Sequence, residues 1–105
     1  MNIKGWMDDI LKKLTNDPDI EANINNIRCY LPDATYSPTY KKIDIYGNAP
    51  SILRYGIAHL LGHELAHHYH LKKYGDVGDD SSPEFQRIER CFINRIWDLC
   101  LEEHD

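Results

Sequence analysis

Near its middle the chain reads Leu61-Gly62-His63-Glu64-Leu65-Ala66-His67-His68-Tyr69-His70. An α-helix turns once in about 3.6 residues, so positions i and i+4 stand one above the other. In a helix, His63 and His67 would present two imidazoles to a single ion. Glu64 falls about 100° round the helix from His63. From there it is poorly placed to ligate that ion but well placed to reach a water bound to it. Two nitrogen ligands, an open coordination position and one carboxylate base are the parts of metal-assisted hydrolysis. With six His and six Glu in 105 residues, chance alone yields ~0.02 such patterns, which favours a site over an accident. Glu64 brings the only charge to a stretch otherwise filled by Leu, Ala, Gly, Tyr and His, as a buried helix requires.

Working outward, the helix is expected to run from about Pro50 to Tyr74 and to stop at Gly75. Residues 76–82 are polar and turn-rich. Asp76, Asp79 and Asp80 lack the spacing of a calcium loop and read as a solvated turn. A last helix should start with Ser82 as N-cap and Pro83 in the first helical position, and run to about Leu101. Its apolar stripe is Phe85, Ile88, Phe92, Ile96 and Leu99, and Glu89 falls inside that stripe. A carboxylate aimed at a core is costly unless it is paired or on a metal. Zinc, which takes three protein ligands in a catalytic site, would resolve the anomaly; a salt bridge to a buried Arg is the alternative. Glu84, in the first helical turn, is explained simply by the helix N-terminus. Glu89 is therefore the preferred third ligand and Glu84 the reserve. The longer pattern HExxHxxGxxH is not met, because positions 70 and 73 are His70 and Lys73. His59 and His70 share the face of His63 and His67 and are candidates for supporting or substrate-touching roles. His68 faces elsewhere.

Upstream, Ile3, Trp6, Met7, Ile10, Leu11 and Leu14 recur at steps of three and four, predicting an amphipathic helix. Asn16-Asp17-Pro18 ends it, and Pro18 is expected to open a short second turn carrying Ile20 and Ile24. Alternation in Ile27-Arg28-Cys29-Tyr30-Leu31 and in residues 40–46 predicts two strands, with Pro38 at an edge or a kink. The expectation is a single α+β domain over residues 1–105. Its parts are an N-terminal helix, a small sheet, a helix carrying the His63–His67 motif, and a C-terminal helix carrying Glu89.

Composition bounds the partners. Hydrophobic residues make up 42% and charged residues 28%, ordinary for a globular domain. A net charge of -5 argues against nucleic acid, whose phosphates call for a basic stripe. No apolar run has the length of a membrane span. The first residues lack the apolar core of a signal peptide, so the cytoplasm is the expected compartment. Cys29, Cys91 and Cys100 show no CxxC spacing and read as core residues or free thiols.

His63-Glu64-Leu65-Ala66-His67, followed by Glu89 on a separate helix, resembles the gluzincin branch of zincin metallopeptidases. The short length and the order of elements are similar to those of the minigluzincins, soluble counterparts of the catalytic domains of certain integral-membrane metallopeptidases. The resemblance implies one Zn2+ per chain on His63, His67 and Glu89, and Glu64 as general base and acid. It implies a peptide or protein substrate. It also implies proforms whose cleft is blocked by a terminal segment, in some cases from a second copy of the chain. Here residues 1–5 or 102–105 would do this, with His104 and Asp105 able to reach a zinc. Related membrane enzymes often carry an acidic residue four positions after the ligand glutamate; this chain has Ile93 there. His59, His70, Tyr40 and Tyr74 are the candidates for steadying an oxyanion, and the strand at residues 40–46 for pairing with an extended substrate. The rival expectation is a non-catalytic zinc-binding or interaction module with a His-rich face.

Overall fold

The computed structural model describes residues 3–25, 34–46 and 53–104. The elements are α1 (Ile3–Leu14), β1 (Glu21–Asn25), β2 (Ala34–Ser37), β3 (Lys42–Tyr46), α2 (Leu53–Tyr74) and α3 (Pro83–His104). Three helices and a mixed three-stranded sheet make the α+β architecture that the sequence leads one to expect. No described helix is long and apolar enough to cross a membrane.

Helix α1 buries Trp6, Met7, Ile10 and Leu11, the stripe read from its periodicity. It stops where Thr15 turns back, with its amide and its hydroxyl both donating to the Leu11 carbonyl. Beyond Pro18 the chain does not form a second helical turn. It enters β1, which pairs parallel with β3 in the register Ala22 to Ile43 and Ile24 to Ile45. Pro18 suits either outcome by itself; the pairing with β3 decides, and it leaves Ile20 and Ala22 facing the core and Glu21 facing solvent.

The strand order is β1-β3-β2, with β2 antiparallel to β3. Strand β3, whose Ile43 and Ile45 are buried, is therefore central. Its backbone is paired on both sides, so it cannot take an added substrate strand, contrary to the sequence-based expectation. Tyr40 precedes it in an exposed turn. The outer side of β1 is occupied too. Lys4 donates to the Ala22 carbonyl at 3.2 Å, and Asp8 accepts from the Ala22 amide at 3.3 Å. Residues 3–5, part of one segment expected to block a cleft, thus belong to α1, where Lys4 is tied to β1. The expected strand at residues 27–31, together with Cys29, lies outside the described residues. Of the other cysteines, Cys100 is in the core and Cys91 is exposed.

Helices α2 and α3 form a hairpin joined by residues 75–82. Gly75 ends α2 with a φ of 86°, a left-handed value that glycine takes without strain. The Ser82 hydroxyl accepts from the Phe85 amide at 3.1 Å, capping α3 as its sequence predicts. Gly62 sets the separation of the two helices: a Cβ there would lie 2.5 Å from Cγ1 of Ile93. Any larger residue would push α3 away one turn from Glu89 and beside His63. The core between the layers joins Ile57, Leu61 and Leu65 of α2 to Phe85 and Ile96 of α3.

Candidate metal centre

Helix α2 brings His63, Glu64 and His67 to one cleft of about 610 Å³. The sheet supplies the opposite wall through Ala34, Thr35 and Tyr36 of β2, and the α2–α3 loop supplies Val77 and Asp80. Strand β2 is an edge of the described sheet and lies on this cleft.

The two imidazoles stand one helical turn apart, with ring centroids separated by 4.9 Å. Phe85, fully buried, packs against both rings and fixes their inner sides. On each ring Nδ1 has its own partner, separate from what Nε2 faces. His67 Nδ1 donates to the Val77 carbonyl at 2.7 Å, and His63 Nδ1 contacts the Glu89 carboxylate. An acceptor at Nδ1 holds the proton there and leaves the Nε2 lone pair outward, the usual arrangement of a metal-binding histidine. The two Nε2 atoms turn toward the same carboxylate: Asp80 Oδ1 lies 3.0 Å from His67 and Oδ2 lies 3.5 Å from His63. One ligand atom from each of His63, His67 and Asp80 falls within 4.8 Å of the others. Nitrogen and carboxylate donors gathered in this way suit zinc, so the residues fit the group that the motif implies.

Glu64 is buried beside them, and burial pushes its carboxyl above the usual range although His67 and His63 pull the other way. A carboxylate at a cleft floor whose proton affinity is raised by burial is fitted to accept and release a proton.

Glu89 reaches His63 from α3 but on Nδ1, the nitrogen away from Asp80. Glu84 is elsewhere, accepting a hydrogen bond from the Tyr74 hydroxyl at 2.8 Å. His59 is on the exposed rim of the cleft. His70 is buried and donates from Nδ1 to the Asp76 carbonyl at 2.7 Å, so its role is to hold the loop. Tyr40 and Tyr74 do not line the cleft. Residues 1, 2 and 105, and the side chains of residues 102–104, lie outside the described residues, and with them the rest of the expected blocking segments.

Three participants were not legible as such. Asp80 belongs to a turn that reads as solvated, yet it faces both histidines. Tyr36 lines the cleft and donates its hydroxyl to His68 Nδ1 at 2.6 Å. His68 is itself buried, with Nε2 facing Asp17 Oδ2 at 3.7 Å. Desolvation and then Lys72 push the His68 imidazole down, which keeps it neutral and able to accept from Tyr36. Desolvation and then Asp17 push the Tyr36 phenol up, which keeps its proton in place. Asp17 anchors the group. Its carboxylate pairs with Lys41 at 2.9 Å and Lys72 at 3.0 Å and is held well below the usual range, chiefly by Lys41. Lys41 stands at a φ of 49° in the β2–β3 turn. Asp17 thus ties the end of α1, the sheet hairpin and α2 together behind the cleft wall.

Comparison with protein-family models, with curated proteins and with solved structures finds no match to this chain.

Proposed function

We propose that this chain is a zinc-dependent endopeptidase of the gluzincin type. His63 and His67 are the proposed ligands of one zinc per chain through Nε2, Glu89 is the proposed third ligand, its carboxylate turning from His63 Nδ1 to the ion when zinc binds, and Glu64 is the general base and acid. The observation that carries the reading is the convergence of two histidine Nε2 atoms beside the buried Glu64 in an open cleft. A bound zinc would supply electrophilic help to a carbonyl oxygen and lower the pKa of its water. The Glu64 carboxylate takes the proton from the attacking water and returns it to the leaving amine. An extended peptide can pair with β2, an edge strand of the described sheet that lines the cleft. Tyr36 shapes that wall under the hold of His68.

The rival, a non-catalytic zinc-binding module with a His-rich face, has less support. His68 and His70 are buried and engaged inside the protein, which leaves His59, His63 and His67 toward the cleft. The test is cleavage of an unfolded protein by zinc-loaded enzyme. A chelator should abolish cleavage and added zinc should restore it. Cleavage that persists after the metal is stripped would remove the reading.

A further inference from the structure

The loop of residues 75–82 is fastened to α2 by the same kind of histidine that lines the cleft. His70 holds the Asp76 carbonyl and His67 holds the Val77 carbonyl, each at 2.7 Å. Gly78 follows with a φ of 84° and lies against the His70 ring, where a Cβ would come within 2.9 Å of the imidazole. On the far side Ser82 caps α3, and Gln86 Nε2 donates to the Asp80 carbonyl at 3.3 Å. Residue 80 is thus delivered over the cleft by a short strap pinned at both ends. Its carboxylate spans the two Nε2 atoms, one oxygen to each.

A catalytic zinc site keeps one position open for water or substrate beside its three protein ligands. Asp80 differs from Glu89 in its surroundings. The Asp80 side chain is 65% exposed and that of Glu89 22% exposed. A carboxylate so exposed can turn back into water at little cost, because it is never fully desolvated. We propose that Asp80 is a loop-borne closing ligand. In the resting protein it holds the coordination position that a substrate carbonyl must take, and it withdraws by a side-chain rotation while the strap stays in place. This inference rests on the metal-centre reading above and adds to it a resting state closed from within the chain. Carboxylate chemistry also sets what displaces it: small bidentate oxygen ligands such as hydroxamates compete directly with Asp80.

The experiment uses the whole chain loaded with Co2+, wild type beside Asp80→Ala, with visible absorption followed during titration with acetohydroxamate. Asp80→Ala should keep about one cobalt per chain and bind acetohydroxamate at least about tenfold more tightly, a difference of about 1.4 kcal/mol. Equal affinity for acetohydroxamate in the two proteins, with normal cobalt uptake, would overturn the closing role and leave the metal centre standing. Loss of cobalt from Asp80→Ala would also overturn it, by making Asp80 an indispensable ligand. No cobalt uptake by the wild type would overturn both this inference and the metal-centre reading.

Discussion

On the proposed function, Glu64→Gln lowers peptide hydrolysis by about a thousandfold while metal content stays unchanged. The amide keeps the size and shape of the carboxyl group but cannot take a proton. Glu64 is buried at the cleft floor, so no solvent base stands ready to replace it. Its position about 100° from His63 on the helix keeps it off the ligand face, which is why the metal should remain. The measurement is cleavage of an unfolded protein by zinc-loaded wild type and variant, with zinc determined in the same samples. Full activity in the variant would mean that some other group accepts the proton, and the role given to Glu64 would be wrong.

The largest effect on stability is expected at Asp17. Its carboxylate is buried, pairs with Lys41 and Lys72, and accepts from the Asp19 amide at 3.0 Å. Breaking a buried ion pair costs about 3–5 kcal/mol when the remaining charge is stranded. Here the two lysines are 39% and 52% exposed and can return to water, which places Asp17→Ala below that range, at about 2 kcal/mol for the lost charge-assisted contacts. That is a large share of the roughly 5–15 kcal/mol that holds a domain folded. The sign with pH follows from the depressed carboxyl. A folded-state pKa below the unfolded value of about 4 gives stability that is fully present above it. That stability is lost as pH falls below about 4 toward the folded value. Denaturant melts of wild type and Asp17→Ala should therefore differ by about 2 kcal/mol at pH 7 and by clearly less at pH 3. A difference under about 0.5 kcal/mol at pH 7 would make Asp17 an ordinary surface charge.

Long-range periodicity made the helices readable. Six apolar residues mark α1, and the motif itself runs with α2. Ser82-Pro83 opens α3 where the hydroxyl cap is observed. Strand β3 was readable because Ile43 and Ile45 alternate with polar neighbours. Strand β1 was not, since Pro18 begins a helix as readily as a strand and only the tertiary pairing with β3 chooses. Strand β2 has four residues, too few for a period of two to stand out.

At the site, His63, Glu64 and His67 were legible because their relation is helical and local. Asp80 was hidden because its relation is not local. Chain dimensions account for the first part of its path. Helix α2 runs seven residues past His67, about 10 Å, before it turns. A chain returning at about 3.3 Å per residue covers that in about three residues. Val77 therefore comes level with His67, as its hydrogen bond shows, and the turn closed by the Ser82 amide on the Asp79 carbonyl then holds Asp80 opposite the two imidazoles. The role of His68 escaped for a related reason. It does face away from His63 and His67, but the buried carboxylate that meets it comes from residue 17, at the far end of the chain.

Zinc binding is the most direct measurement: metal-free protein titrated with Zn2+, wild type beside His67→Ala. The expected result is one zinc per wild-type chain and affinity at least about a hundredfold weaker in His67→Ala, since a lost ligand costs more than the roughly 10–100-fold of a lost supporting contact. A wild type that takes up no zinc, or a variant that binds it equally well, would contradict the metal centre and the peptidase reading with it.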